Sequence, residues 1–499
     1  MAPSAPAVEM REVDYESIGD VASAGGETGA AIDLAVIGGG ITGCAAARDA
    51  AARGLTTVLL EKDDLAEGTS SRSTKLLHGG LRYLERGDIG LVRQALRERE
   101  TTARLAPALA TPLRFVVPVW PGRSPGLLKV RVGVALYEML ARDRALPRGA
   151  SLGASAIEEL APQLASGYRG GVAFFDRQTD DARLTLAIAE DARRRGASIR
   201  SRVAVSAVDR ARGAYTLSCR EESGVGSSLQ ARAVVNATGA WADRVRALAG
   251  HRTPLLRTSR GAHLVLEGIR LGGALLLAGE HPGHRLFAIP WRGLTLFGTT
   301  DTEDDGMPGR DVPVADDLRL LFREACRHFP AAGLTRRQVV SAFTGVRPLV
   351  RGSGETLKAS REHEIHDEDG LVTIVGGKLT TWRVMAIDAI DAVVRRLGRS
   401  TPSPAVLLDA PLPVVEPPTL VSATSDPFAR HVEDVLFRRV AVGHDPREVR
   451  RLLPEAVALM TAARGWSTAT AAEETSRVLD KLAAIERRLD EAISPEGER

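Results

Sequence analysis

Short apolar runs that end at glycine give the chain its clearest pattern. The first, DLAVIGG at positions 33–39, is rich in β-forming residues and predicts a buried strand. An alanine-rich stretch follows, predicts a helix and stops at Gly54, and the run TTVLLE then predicts a second strand that ends on Glu61. This succession of strand, glycine turn, helix and strand predicts a right-handed parallel unit.

The same kind of pattern returns in distant parts of the chain. The segment ASIRSRVAVSAV at 197–208 alternates as a strand, and RAVVNATG predicts a buried strand that breaks at Gly239. Further on, LVTIV leads through Gly376 and Gly377 into a long amphipathic helix. We therefore expect these separated segments to lie side by side in one sheet.

Helix signals are clear between these strands and near the C-terminus. DDARLTLAIAEDARRRG has apolar residues at helical spacing and predicts a helix that is capped by Asp180 or Asp181. Asp445 followed by Pro446 predicts the start of one C-terminal helix, and Thr470 predicts the start of another.

Composition and charge exclude several classes of protein. The 66 Lys and Arg residues against 63 Asp and Glu leave a net charge of +3, whereas a nucleic-acid binder needs a strong basic excess. Apolar runs stay shorter than the roughly 20 residues of a membrane-spanning helix. The three cysteines are too widely spaced for a thiolate metal site and suit a reducing, cytoplasmic location. We expect no metal, and we assign the pairs His281 with His284 and His363 with His366 to surface loops because no further ligands accompany them.

A glycine motif indicates a dinucleotide. Gly38, Gly40 and Gly43 form GxGxxG between the first strand and its helix, about 20 residues before Glu61. In such a motif the glycines let the backbone approach a pyrophosphate, the helix N-terminus stabilises its charge, and the acid accepts hydrogen bonds from a ribose. An acid at position 61 disfavours NADP, and the residues by themselves leave FAD and NAD open.

Several longer blocks are more selective than the glycine motif. DLAVIGGGITG, TSSRSTKLLHGGLRYLE, DDARL, VVNATGAWAD, IPW followed by GTTD, TGVRPL and VGGKLTTWR occur in this order. Over about residues 31–395 they closely resemble the FAD-dependent glycerol-3-phosphate dehydrogenases. The resemblance implies an α/β fold of the glutathione-reductase-like FAD-binding kind, within the D-amino-acid-oxidase superfamily. It also implies an antiparallel-sheet substrate subdomain, a C-terminal helical domain, and FAD as the cofactor.

Domain boundaries follow from the resemblance together with composition. The N-terminal residues carry acids where a signal peptide needs a continuous apolar core, so we expect a flexible tail. A proline-rich stretch near the C-terminus is typical of a linker. The expected parts are a tail at 1–30, an FAD-binding domain with an interleaved substrate-binding subdomain at 31–400, a linker at 401–427 and a helical domain at 428–499.

The resemblance also implies the contacts to FAD. Hydroxyls of the segment TSSRST would meet polar atoms of the flavin, and the following glycine pair would let the backbone pass close to its ring. The helix after the later glycine pair would direct its N-terminus at the ring's carbonyl end. The implied contacts are Gly38, Gly40, Gly43, Glu61, Ser70, Ser71, Thr74, His78, Gly79, Gly80, Val203, Thr238, Gly239, Gly376, Gly377, Leu379 and Thr380.

The implied substrate, glycerol 3-phosphate, needs cations and a base. A phosphomonoester carries close to two negative charges, and the planar fork of Arg binds phosphate oxygens bidentately. The resemblance assigns this role to Arg347 and Arg361, with Arg82 and Tyr83 reaching the same pocket. For the proton of the C2 hydroxyl it implies His263 as base and Lys378 as the group that stabilises the oxyanion, while His78 is a second candidate base.

The reduced flavin must pass its electrons to an acceptor. The family resemblance implies that this acceptor is a membrane quinone. The segment at 119–144 combines Trp120, apolar residues and scattered basic groups, as an interfacial membrane segment does, although a buried helix beside a loop has the same pattern. The inner face of the cell membrane and a homodimer are further expectations. Oxygen as acceptor, an amine or amino-acid oxidase on the same fold, and a flavin-binding interaction module without turnover are the alternatives.

Overall fold

The computed structural model describes residues 31–84, 87–122, 126–141, 145–280, 283–304, 313–352, 362–401, 409–414 and 418–493, with the backbone alone at position 82. The expected tail at 1–30 and Arg361 lie outside the described residues.

The strands form two sheets. Their bounds are β1 (Ile32–Ile37), β2 (Thr57–Leu60), β3 (Leu76–Leu77), β4 (Thr111–Pro118), β5 (Ala150–Leu152), β6 (Gly171–Gln178), β7 (Ser198–Arg200), β8 (Val203–Ala211), β9 (Ala214–Glu221), β10 (Gly226–Asn236), β11 (Leu256–Leu266), β12 (Ala274–Ala278), β13 (Arg285–Trp291), β14 (Leu294–Gly298), β15 (Thr302–Asp304), β16 (Val339–Val350), β17 (His363–Glu368) and β18 (Leu371–Gly376).

Helices cover the sheets and form the C-terminal region. Their bounds are α1 (Ile41–Ala52), α2 (Leu81–Leu84), α3 (Ile89–Leu105), α4 (Leu127–Ala141), α5 (Ala154–Leu160), α6 (Asp181–Arg194), α7 (Ala242–Leu248), α8 (Ala315–His328), α9 (Trp382–Arg396), α10 (Leu420–Thr424), α11 (Pro446–Arg464) and α12 (Thr468–Ala492), and a π-helix spans Asp434–Arg439.

The first sheet brings together the distant strands that the apolar pattern predicts. Its order is β17-β18-β10-β1-β2-β7, and the strands from β18 to β7 are parallel. Helices α1, α6 and α9 pack together, and their apolar residues join those of the sheet in one core that includes the buried Leu34, Ile188 and Trp382. The prediction of one shared sheet is confirmed.

The second sheet is mostly antiparallel, in the order β15-β11-β14-β13-β12-β4-β6-β3, with β16 beside β11 and β5 beside β6. Apolar residues such as Leu264 and Phe297 form one core, in which α8 and the end of α12 take part. Phe115, Phe174 and Tyr137 belong to a separate core beneath α3 and α4.

Local corrections concern where elements begin and break. The predicted strand at 197–208 is two strands, because Arg202 adopts a left-handed backbone with φ of +62°. Asp180, the first of the two candidate caps, accepts a hydrogen bond from the Arg183 amide at 3.1 Å and caps α6. The last helix is capped by Ser467, since its hydroxyl accepts from the Thr470 amide at 3.1 Å, so Thr470 lies inside the helix.

The C-terminal helices are tied to the first sheet by buried charges. Asp64, which follows β2, is fully buried and pairs with both Arg438 and Arg439 at the end of the π-helix. Within the expected linker, the Leu412 amide donates to the carbonyl of Leu105 at 2.7 Å. Across the described ranges, the structure contains no helix with the length and apolar character needed to cross a membrane.

Candidate functional site

A long cleft of about 890 Å³, called here the first cavity, lies where the parallel strands β1, β2, β10 and β18 end. The carboxyl edge of a parallel sheet is where ligands bind in folds of this kind. The predicted residues that line it are Gly38, Gly40, Glu61, Ser70, Thr74, Val203, Thr238, Gly239, His263, Arg347, Gly376, Gly377, Lys378 and Leu379.

The first glycine turn has no room for side chains. Gly38 has φ of +108°, and a Cβ there would lie 2.8 Å from the Ala237 carbonyl oxygen. A Cβ on Gly43, which is in α1, would lie 1.8 Å from the carbonyl oxygen of Gly38. Helix α1 has no acidic residue in its own first turn, and Gly40 and Ile41 at its start line the first cavity, so the positive end of its dipole lies at the cavity. The turn therefore fits an anionic group such as a pyrophosphate.

Glu61 is held in place at the end of β2. Its Oε2 accepts from the Gly39 amide at 2.6 Å and its Oε1 accepts from the Asp63 amide at 2.8 Å. Burial raises the pKa of this carboxyl group, while the two amides oppose the shift. Glu61 and Val203 both line the first cavity, and the Val203 amide donates to the Glu61 carbonyl at 2.8 Å, an arrangement that suits a ribose and an adenine.

The polar segment Thr69–Lys75 is anchored on both sides. The Ser70 hydroxyl accepts from the Ile41 amide at 2.9 Å, so it lies at the N-terminus of α1. Asp181 accepts from the Ser73 amide at 2.9 Å and also pairs with the ammonium of Lys75. Asp181 therefore positions this segment rather than capping α6.

The N-terminus of a second helix lies at the first cavity beside Gly377; this helix starts with the 3-10 turn Leu379–Thr381 and continues as α9. A Cβ on this glycine would collide with the Met385 side chain, and the next residue, Lys378, donates from Nζ to the Gly79 carbonyl at 3.2 Å. The same ammonium lies 4.9 Å from the centre of the Tyr83 ring, a cation–π arrangement. Thr380 is buried and accepts from the His78 amide at 3.1 Å.

His263 lies on β11, where it pairs with Gly298 of β14 and Phe343 of β16, and it lines the first cavity. Its Nε2 is 3.1 Å from the Thr74 hydroxyl, and its ring stacks on Phe343 at 4.8 Å. Burial, and then the positive charges of Arg347 and Lys75, lower its pKa to about 3. The imidazole is therefore neutral at physiological pH, and with this pKa it is a weak base.

A second cavity of about 430 Å³ shares Thr74, Arg347 and Lys378 with the first. It lies between α4 and the second sheet, and Tyr83 and His78 line it. The remaining lining is largely apolar, from residues that include Phe115, Val130, Leu136, Phe174 and Phe287.

Arg347 already has partners within this site. One terminal nitrogen donates to the Thr299 hydroxyl at 2.8 Å and to the Thr300 carbonyl at 3.0 Å, and the other lies 3.3 Å from Asp301. A bound anion would therefore compete with Asp301 for this guanidinium. Of the other predicted cations, Arg82 contributes only its backbone to the description, in α2, and Arg361 lies outside it.

A family model described as FAD dependent oxidoreductase matches residues 33–381. A glycerol-3-phosphate dehydrogenase from Synechocystis is 37% identical over 428 residues, which cover 81% of this chain and 77% of that relative. The chain belongs to the FAD-dependent glycerol-3-phosphate dehydrogenases. Membership in this family confirms the predicted fold class and decides between FAD and NAD in favour of FAD.

Two further comparisons agree with this membership. A glycerol-3-phosphate dehydrogenase from Mycobacterium leprae is 39% identical over 72% of this chain, which spans 63% of that relative. The solved glycerol-3-phosphate dehydrogenase from Bacillus halodurans, complexed with FAD, superposes with a TM-score of 0.71 at 27% identity. That comparison covers 93% of this chain and 96% of the solved chain.

Some residues that the family resemblance assigns to FAD lie outside the lining of the first cavity. Gly43 supports the turn from behind, and the Ser71 hydroxyl donates back to the Gly68 carbonyl at 3.3 Å. His78 and Gly80 line the second cavity, whereas Gly79 and the buried Thr380 line neither. A Cβ on Gly79 would first meet Leu96 and Tyr137, and one on Gly80 would meet Tyr83, so protein side chains alone already require these glycines. The roles of these residues toward FAD stay predictions.

Other residues at the cavities were not predicted from the sequence. His431, Glu433, Arg477 and Lys481 from the C-terminal region line the first cavity, although their helices carry only an amphipathic pattern. The second cavity is lined by further polar residues: Lys129, Asp176, His284, Arg285, Thr299, Thr300 and Asp301. The motif GTTD was the available signal for the last three.

The assignment of the histidine pairs to surface loops was wrong where the structure describes them. His284 is buried and its Nε2 is 2.9 Å from the Thr299 carbonyl oxygen, while His363 and His366 lie on the edge strand β17.

The low pKa of His263 makes a prediction for stability. In the unfolded chain a histidine titrates near pH 6.5. Below that pH the unfolded chain therefore binds a proton at His263, whereas in the folded chain His263 stays unprotonated down to about pH 3. This contribution to stability is complete above pH 6.5 and is lost as the pH falls, by about 2 kcal/mol between pH 7 and pH 5. Urea unfolding of the holoprotein should show a smaller loss over this interval for His263→Gln.

His251→Gln is the control, because His251 is partly exposed beside Glu368. This variant should keep the pH dependence of the unaltered protein. Equal pH dependence for His263→Gln and the unaltered protein would mean that folding does not lower the pKa of His263.

Proposed function

We propose that the protein oxidises sn-glycerol 3-phosphate to dihydroxyacetone phosphate with FAD as the electron acceptor. The observation that carries the proposal is the meeting of Thr74, Arg347 and Lys378 at the boundary of the two cavities. These residues come from three distant blocks of the sequence, and family membership supports the reaction type. A cavity of about 430 Å³ has the size of a small-molecule site.

The charges around the second cavity suit a dianion. Arg347 and Lys378 line it together with Arg285 and Lys129, against the carboxylates of Asp301 and Asp176, and Asp176 is already paired with Arg99. A phosphate that replaced Asp301 as the partner of Arg347 would gain charge-assisted hydrogen bonds. We include Arg82 and Arg361 in the proposal as further residues of the phosphate pocket.

The chain's own residues would handle the proton. Bound FAD supplies the acceptor for the hydride of C2. His263 or His78 would accept the proton of the C2 hydroxyl, and Lys378 would stabilise the developing alkoxide. Since the charge of Arg347 lowers the pKa of His263, a phosphate that neutralises this charge would raise that pKa and improve the base.

Quinone reduction at a membrane surface is the second part of the proposal. Helix α4 exposes Leu128 at 74% and Met139 at 68%, while Val130, Gly133 and Leu136 of the same helix line the largely apolar second cavity. An apolar acceptor could thus approach from the membrane side of α4. The homodimer implied by the resemblance stays a prediction.

The test of the reaction is anaerobic titration of the yellow holoprotein with glycerol 3-phosphate. We expect the flavin absorbance to bleach with glycerol 3-phosphate and to persist with glycine or proline. Addition of a soluble quinone should restore the absorbance faster than addition of oxygen. Bleaching by the amino acids alone would identify an amino-acid oxidase, and rapid reoxidation by oxygen would identify a glycerol-3-phosphate oxidase.

Membrane contact has its own test. Leu128→Glu places a charge on the exposed face of α4 and should weaken cosedimentation with anionic phospholipid vesicles about tenfold, because one buried leucine is worth about 1.5–3 kcal/mol. Leu479→Glu, at an exposed leucine of α12, is the matched control and should bind vesicles normally. Equal vesicle binding by both variants would rule out α4 as the contact.

A further inference from the structure

We propose that Tyr137 is a positioning residue for this oxidation, because it fixes the backbone of Gly79 and thereby the ammonium of Lys378. The inference rests on the proposed function. Tyr137 lies on α4 and lines neither cavity, so it acts through other residues rather than on the substrate.

The hydroxyl of Tyr137 links two structural elements. It accepts from the Gly79 amide at 2.7 Å and donates to the carboxylate of Asp176 on β6, whose oxygens are 2.9 Å and 2.8 Å away. Asp176 is held in turn by Arg99 at 2.6 Å. The acceptor for Gly79 is therefore fixed by a buried chain of hydrogen bonds.

Gly79 is bonded on both of its polar groups. Its amide donates to Tyr137, and its carbonyl accepts from Nζ of Lys378 at 3.2 Å. Glycine has no side chain to restrict its backbone dihedral angles. The two hydrogen bonds thus supply the restraint that a side chain would otherwise give.

Burial keeps this arrangement in one protonation state. Tyr137 is 1% exposed, and burial followed by the charge of Asp176 raises its pKa well above the ordinary value. The phenol consequently stays protonated and keeps donating to Asp176. Its ring is also fixed, edge-on to Phe174 at 5.8 Å.

Loss of the hydroxyl would release Gly79 without removing a group from either cavity. The Gly79 amide would lose its acceptor, and the carbonyl that holds Lys378 would be free to rotate. A catalytic group displaced by about 1 Å can lower a rate about a hundredfold. The defect should appear in the chemical step rather than in substrate or FAD binding.

The experiment compares Tyr137→Phe with Tyr215→Phe in the FAD-loaded protein. Tyr215 is the matched control because it is also buried and its hydroxyl donates to the Asp369 carbonyl at 3.1 Å, away from both cavities. For Tyr137→Phe we expect the limiting rate of flavin reduction by glycerol 3-phosphate to fall about 10–100-fold. The dissociation constant of the substrate, the FAD content and the Tm should match those of Tyr215→Phe.

Hydrogen exchange supplies a readout that does not depend on turnover. In the unaltered holoprotein, the Gly79 amide should be as protected as the amides of β6, and in Tyr137→Phe it should exchange at least about tenfold faster. An unprotected Gly79 amide in the unaltered protein, or a Tyr137→Phe variant that reduces its flavin at the normal rate, would overturn the proposal. If the unaltered holoprotein is not reduced by glycerol 3-phosphate at all, the proposed function fails, and the exchange result still decides whether Tyr137 holds Gly79.

Discussion

Gly43→Ala is expected to yield a protein that purifies without bound FAD. The added methyl group would lie 1.8 Å from the carbonyl oxygen of Gly38, which is backbone and cannot rotate away. Helix α1 must then move away from β1, and the turn that fits the pyrophosphate opens. We expect FAD content to fall below about a tenth of the normal value, with a loss of about 1–3 kcal/mol in the free energy of unfolding.

Gly90→Ala is the matched control, since Gly90 also lies in a helix and an added Cβ would have no heavy atom within 4 Å. Absorbance of the bound flavin against total protein measures occupancy, and urea unfolding measures stability. A Gly43→Ala protein with full FAD content would show that the turn tolerates a side chain at this position, and it would contradict the steric explanation of the glycine motif.

Asp64→Asn should lower the free energy of unfolding by about 3–5 kcal/mol, because it leaves two buried guanidinium groups without a shared carboxylate. Asp64 has no exposed surface, and its Oδ1 accepts from Arg439 at 2.8 Å while Arg438 pairs with its other oxygen. The pKa of both arginines is raised by acids that include Asp64, so neither loses its charge to relieve the defect. Urea unfolding measures the loss.

Its neighbour Asp63 provides the control. Asp63 pairs with Lys62 at a partly exposed position, so Asp63→Asn should change stability by less than about 1 kcal/mol. Limited proteolysis adds a second readout, because cleavage in Asp64→Asn should begin in the C-terminal helices. Equal stability of the two variants would mean that the C-terminal region is held by its apolar contacts alone.

Local signals in the sequence were sufficient for the elements around the first glycine turn. The run before Gly38, the alanine-rich helix and the acid at Glu61 each carry a strong pattern, and the strands and helix appear where they were expected. The parallel sheet was also predictable, because apolar runs form β1, β2, β18 and the end of β10, and each run leads into a turn.

Features that depend on distant partners were not predictable. The sequence around Lys481 is that of any lysine on the polar face of an amphipathic helix. In the folded chain, however, Lys481 lines the first cavity and pairs with Glu433. Asp181 was interpreted as one of two helix caps, whereas its partners Ser73 and Lys75 lie more than a hundred residues earlier. The break at Arg202 arises because β7 pairs with β2 and β8 turns away to pair with β9.

The order of strands in the first sheet also constrains how the protein is made. β1 can pair with β2 as soon as Leu60 is synthesised, but its other neighbour, β10, begins only at Gly226, and β18 begins at Leu371. At about 5–20 residues per second, tens of seconds separate the first of these strands from the last. During that time the nascent chain carries an unpaired apolar strand edge, which is prone to aggregation. Ribosome-bound fragments should therefore need chaperone protection, and FAD can find its complete site only after translation has passed Ile485, the last residue that lines the first cavity.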